Sequence, residues 1–119
     1  MTHLHKAKLH KAKLIRIDFP DAIELEVSLG FRVTIQARVF LHGVKINPKN
    51  ATLDVIHSFV YDWLTSSDHI FILPLDATTT HNVPVYVYSD VAMHACLNDD
   101  LVDAGYAINS RNTPESLDM

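Results

Sequence analysis

The sequence predicts a mainly β domain with helices (α+β), in which five strands close into a small barrel. Three early runs alternate apolar and polar residues with a period of two. One central segment has the three- and four-residue apolar spacing of a helix, and two further β-forming runs follow it. With 119 residues, of which 48% are apolar, the chain is long enough for one domain with a buried core.

Alternation predicts the first three strands. Residues 13–18 (KLIRID) and 22–29 (AIELEVSL) interleave apolar and charged side chains, and residues 32–41 (RVTIQARVFL) are rich in β-branched types. Gly30 lies where a turn would join the second run to the third. We therefore expect these runs to form a three-stranded meander.

A helix is predicted within residues 47–68, where the apolar positions between Val55 and Leu64 recur every three or four residues. Asn50 or Thr52 is the expected N-cap, because both side chains can accept a hydrogen bond from the first turn.

Two more strands are predicted at residues 69–75 (HIFILPL) and 83–89 (VPVYVYS). Residues 91–105 are predicted to form a short helix or a helix pair, with Gly105 in the left-handed conformation that commonly ends a helix. The resulting order, β-β-β-α-β-β-α, is the order of a five-stranded OB-fold barrel.

Charge is unevenly distributed along the chain. Residues 1–16 carry five basic side chains and no acid, whereas ten acids accompany a single base from Asn50 onward. Nucleic-acid binding usually needs a broad basic surface, so this balance weighs against nucleic acid as the main partner. No apolar run has the length of a membrane span or the position of a signal peptide. We therefore expect a cytoplasmic protein without a membrane partner, in the host cytoplasm if the chain is viral.

Residues 4–14 (LHKAKLHKAKL) contain the same five letters twice. The second copy is predicted to lead into the first strand, because HKAKLIRI alternates lysine with apolar residues. The predicted organisation is a partly flexible basic lead-in over 1–10, the barrel over 11–109 and a polar tail over 110–119. If the chain binds nucleic acid, the expected contacts are Lys6, Lys8, Lys11, Lys13 and Arg38.

Four stretches, KLIRIDFPDAIEL, IQARVFLHGV, VPVYVYSD and LVDAGYA, share their order and spacing with a known family. Over residues 11–109 the chain resembles the staphylococcal-nuclease-like (thermonuclease) OB-folds. The resemblance implies an ancestry in phosphodiester cleavage, with a calcium ion held by carboxylates, a glutamate that activates water and two arginines that stabilise the phosphorane. Asp18 and Asp21 match the two aspartates of the family's first turn, and Arg38 matches its first arginine.

The rest of the family's catalytic set is missing. Counted from Arg38, the second metal aspartate, the catalytic glutamate and the second arginine fall on Gly43, Ile46 and Asn82. No shift of the alignment restores them, because no carboxylate lies between Glu26 and Asp54 and no arginine between Arg38 and Arg111. A general base contributes roughly 10²–10⁴ in rate, so the resemblance implies a catalytically degenerate member.

The remaining candidates have structural alternatives. Asp18 and Asp21 are remnant candidates for a calcium site, but turn-forming aspartates are commoner. Arg38 is a candidate for phosphate contact, and an ion pair with Asp21 or Glu24 is the alternative. No cofactor is expected, calcium being the exception to test.

Other polar and aromatic residues also lack a clear site. The eight histidines show no paired zinc spacing, and Cys96 is interpreted as a small buried hydrophobe. Phe40, Tyr86 and Tyr88 are candidates for base stacking, although we expect packing in the core or in an interface.

These patterns favour a non-catalytic binding module that acts through protein–protein contact or homo-oligomerisation. One form of this hypothesis is inhibition or scaffolding of a nucleic-acid enzyme, in which the acidic body of the chain, from Asn50 onward, occupies a basic surface of that enzyme. The alternative is non-catalytic nucleic-acid binding, and the third hypothesis is a residual calcium-dependent phosphodiesterase.

Overall fold

The structure, a computed structural model, describes residues 8–75 and 81–110. Within them the elements are, in order, β1 (His10–Phe19), β2 (Ala22–Gly30), β3 (Val33–Leu41), β4 (Val44–Ile46), α1 (Leu53–Thr65), β5 (Ile70–Pro74), β6 (Val83–Tyr88), α2 (Leu97–Asp103) and β7 (Ala107–Asn109). Neither helix of these two ranges is long and apolar enough to cross a membrane.

Five strands close into a barrel in the order β1-β2-β3-β6-β5, with β5 returning to β1. Every neighbouring pair is antiparallel except β3 and β6, which run parallel with Phe40 beside Pro84. The molecule is therefore a closed, mixed five-stranded barrel with two helices. This confirms the predicted mainly β class and is consistent with an OB-like barrel.

The inward-pointing apolar side chains of the strands fill the barrel. Ile23, Leu25 and Val27 of β2 point inward and are fully buried, whereas the residues between them lie outside. The buried face of α1, formed by Ile56, Val60 and Leu64, packs onto the same core. Thr52 is the N-cap, and its Oγ1 accepts a hydrogen bond from the Val55 N–H at 3.3 Å.

One element differs from the prediction. The sheet formed by β4 and β7 was not predicted, because three-residue strands are too short to show a period. Of the two arrangements predicted for residues 91–105, the short helix is present as α2, whereas residues before Leu97 adopt turn and extended conformations, with Met93 at φ +60°. Gly105 has φ +83° directly after the end of α2, which confirms its predicted left-handed conformation.

The second copy of the five-residue repeat lies within β1. His10 is 4% exposed and Ala12 is also buried, whereas Lys11 and Lys13 lie on the outer face of the strand. Most of the first copy, including Lys6, lies outside the described residues. The lysines of the second copy are therefore outward side chains of a barrel strand.

Candidate functional site

Four charged side chains cluster on the outer face of β1, β2 and β3. Glu24 lies opposite Arg16 of β1 and Arg38 of β3, and all three point outward because Ile23 and Leu25 point inward. Arg16 Nε lies 2.9 Å from Asp18 Oδ1 and 3.4 Å from Glu24 Oε1. Arg38 Nη1 donates to Asp18 Oδ2 at 2.7 Å. Two guanidinium groups and two carboxylates thus neutralise one another.

Arg38 forms its ion pair with Asp18. The predicted ion pair with Asp21 or Glu24 is therefore wrong. The cause is a register shift in β1 between Ile17 and Phe19, which leaves Asp18 as an extra residue opposite β2. Such a bulge redirects the side chain of the inserted residue. Asp18 therefore lies within reach of both arginines, and a phosphate approaching Arg38 would have to displace it.

Asp21 lies in the turn between β1 and β2 and is half-buried. Its carbonyl oxygen accepts a hydrogen bond from the Leu41 N–H at 2.9 Å, which joins the turn to the end of β3. Burial raises the pKa of the Asp21 carboxyl, and this favours the neutral form over the form that binds a cation.

The two candidate aspartates, Asp18 and Asp21, do not form a metal cage with other described side chains. Both carboxylate oxygens of Asp18 are engaged by arginines. Across residues 8–75 and 81–110, no three His, Cys, Asp or Glu side chains converge in a way that could hold a metal ion. Hard cations prefer six or more oxygen ligands, which these two residues do not supply.

Three positions near the end of β3, where the resemblance would place catalytic side chains, hold other residue types. Gly43 occupies the turn after β3 with φ +77°, and Ile46 is half-buried in β4, opposite Ala107. Asn82, where the resemblance would place the second arginine, is exposed just before β6. What the structure shows beside Arg38 is a set of ion pairs.

An apolar row crosses the outer face of four strands next to the charged cluster. Phe19 lies opposite Ala22, Ala22 opposite Phe40, and Phe40 beside Pro84. The two phenylalanines are 44% and 37% exposed. We call these four residues the apolar row. Phe19 could not be placed on this face from the sequence, because the bulge before it interrupts the alternation of β1.

Aromatic side chains continue from the apolar row along β6. Tyr86 and Tyr88 are half-buried and alternate with the inward Val85 and Val87, so they lie on the outer face and not in the core. The ring of His42 meets that of Tyr86 edge to face at 5.5 Å.

The predicted lysines of the second repeat copy line a shallow groove of about 210 Å³. Lys11 and Lys13 lie on one side, with His69 next to them, and Glu26 lies opposite Lys13. The groove therefore has both signs of charge, and it would attract phosphate less than an all-basic groove.

His94 and Cys96 lie in different surroundings: His94 is exposed and contacts Asp90, whereas Cys96 is buried. Asp90 Oδ2 lies 2.8 Å from His94 Nδ1, and Asp90 Oδ1 accepts the His94 N–H at 3.1 Å. These hydrogen bonds lower the pKa of Asp90. Burial raises the pKa of the Cys96 thiol, which disfavours the nucleophilic thiolate.

The sequence matches no protein-family model and no curated protein.

Proposed function

We propose that this chain is a nuclease-like OB barrel without a catalytic set, and that it works as a protein-binding module. The observation that carries the proposal is the apolar row, which runs in register across four strands with two exposed phenylalanines. Exposed aromatic side chains on a rigid sheet are typical anchors of protein interfaces. The strand order, with parallel β3 and β6 closing the barrel, is consistent with the OB-barrel part of this proposal.

Electrostatics favour a protein over a nucleic acid at this surface. Arg38, the remnant cation of the resembled site, is paired with Asp18, and the adjacent Arg16 contacts Asp18 and Glu24. A nucleic acid would have to break these pairs without gaining net positive charge. The acidic body fits a partner with a basic surface, such as the phosphate-binding surface of a nucleic-acid enzyme.

The test compares capture of proteins from the cells that express this chain. The tagged chain is the bait, and the double variant Phe19→Ser/Phe40→Ser is compared with Val55→Ser, which alters an equally exposed apolar side chain on α1. Each truncated anchor is expected to cost about 1–2 kcal/mol of binding, so the double variant should lose its partner by roughly 30-fold or more. A partner retained by the double variant, or lost equally with Val55→Ser, would refute the role of the apolar row.

Non-catalytic nucleic-acid binding is the second candidate, favoured by the outward Lys11 and Lys13 beside His69. It predicts affinity for oligonucleotides that falls steeply with salt, and a shallower salt slope in the variant Lys11→Ala/Lys13→Ala. Calcium-dependent cleavage of a plasmid, lost in Asp21→Ala, would instead support the residual phosphodiesterase.

A further inference from the structure

β3 is paired along its whole length on one side only. β2 pairs with it from Val33 to Phe40, whereas β6 pairs with it only at Val39, Phe40 and Leu41. Among residues 8–75 and 81–110, no strand pairs with the second side of Val33–Arg38. We call this side the open edge of β3.

The backbone groups that face the open edge follow from two hydrogen bonds at the end of β3. The Leu41 N–H donates to Asp21 on the β2 side, and the His42 N–H donates to the Val85 oxygen on the β6 side. Successive residues of a strand direct their N–H and C=O groups to alternate sides. No register shift interrupts β3 itself. Thr34, Gln36 and Arg38 therefore direct both groups toward the open edge.

This edge has little of the usual protection against strand pairing. Natural edge strands are commonly shielded by charged residues, proline or a bulge. Residues 33–38 contain no proline and no bulge, and their single charged side chain, Arg38, is paired with Asp18. Val33, at the start of this edge, is also 42% exposed, whereas Ile35 packs partly against the core. The edge is therefore competent to accept another strand.

We propose that the open edge pairs antiparallel with the same edge of a second copy of this chain, about a two-fold axis at Gln36. This register places Gln36 opposite Gln36 and Arg38 opposite Thr34, so that all three residues exchange backbone hydrogen bonds. An axis at Arg38 would place two arginines opposite each other, and like charges in that position are unfavourable. The pairing is isologous, so it closes at a dimer.

This proposal does not rest on the proposed function. The apolar row meets β3 at Phe40, whereas the edge is centred four residues earlier on backbone groups. The two surfaces can therefore be disrupted separately.

The experiment measures the dimer dissociation constant by sedimentation equilibrium of the full chain. Gln36→Lys and Gln36→Glu each place like charges across the axis and should raise that constant at least tenfold. An equimolar mixture of the two variants places lysine opposite glutamate and should recover a dimer. Ser58→Lys adds the same charge to an exposed site on α1 and should leave the constant unchanged. Gln36 is exposed, so both of its variants should fold.

Amide hydrogen exchange gives a second readout. Exchange at Thr34, Gln36 and Arg38 should slow as the concentration rises, because dimerisation covers these three N–H groups. A wild-type chain that stays monomeric up to millimolar concentration would overturn the proposal. So would a dimer that survives Gln36→Lys, a mixture that stays monomeric, or a dimer that Phe19→Ser/Phe40→Ser dissociates.

Discussion

Asn98 offers the sharpest test of how this barrel is held together. Its side chain is completely buried at the start of α2. Asn98 Oδ1 accepts the Val87 N–H at 3.0 Å, and Asn98 Nδ2 donates to the carbonyl oxygens of His42 at 2.9 Å and Val85 at 3.0 Å. The pairing of β3 with β6 ends at Leu41 and Val85. The Asn98 amide therefore replaces the strand partner that β6 loses where β3 turns away.

Asn98→Leu removes these hydrogen bonds while approximately keeping the volume of the side chain. The Val85 oxygen retains the His42 N–H, whereas the Val87 N–H and the His42 oxygen lose the partner that Asn98 supplied. Each hydrogen bond contributes about 1 kcal/mol net, and a buried group left without a partner costs about 1–3 kcal/mol. We expect the free energy of unfolding to fall by about 3–4 kcal/mol. For a domain of this size, Tm should fall by roughly 10 °C or more.

The assay is urea unfolding followed by circular dichroism, with the slope m compared between variants. The control is Asn50→Ala, which removes one exposed hydrogen bond, from Asn50 Nδ2 to the Gly105 oxygen at 3.0 Å. That control should cost about 1 kcal/mol or less. If Asn98→Leu lowers the stability no more than the control does, the amide does not complete the edge of β6 and the reasoning is wrong.

Three further predictions concern the β2–β3 hairpin tip, Trp63 and Asp90. Phe31 and Arg32 form the tip of the β2–β3 hairpin with φ +51° and +64°, so replacing them by Asn-Gly should raise the free energy of unfolding by about 1 kcal/mol, measured by urea midpoint. Trp63, the single tryptophan, donates from Nε1 to Asp100 Oδ2 of α2 at 2.8 Å. Trp63→Phe should therefore lower the free energy of unfolding by about 1–2 kcal/mol, measured by thermal unfolding. Hydrogen bonds from His94 lower the pKa of Asp90. The stability that they contribute is therefore complete above the ordinary aspartate pKa, and it is lost as the pH falls through the lowered pKa of Asp90. His94→Ala should raise the Asp90 pKa in a carboxyl NMR titration.

Much of the fold could be predicted because its signals are local. The alternation of Ile23, Leu25 and Val27 identified both the strand and its buried face, and the spacing of Ile56, Val60 and Leu64 did the same for the helix. The small sheet of β4 and β7 could not be predicted. Its two strands lie far apart in the sequence, and each is too short to show a period.

The candidate site was less predictable, because it depends on register between strands. Asp18, Asp21 and Arg38 were identified as candidates, but the pairing of Arg38 depends on a bulge in β1 that no local pattern marks. The same bulge places Phe19 opposite Ala22 and so in the apolar row. A one-residue shift changes the face on which a side chain lies, so the contacts of such residues follow only from the assembled sheet.

The order of residues is sufficient to predict the alternating strands and the apolar face of α1, and it shows that no carboxylate lies between Glu26 and Asp54. These properties belong to single segments, so the order of residues is enough to establish them. Three features become visible only in the assembled barrel: Asp18 contacts Arg38, the apolar row crosses four strands, and β6 leaves the edge of β3 open before Val39. Each of these depends on where separate strands stop pairing, which is determined by closure of the whole barrel around its core.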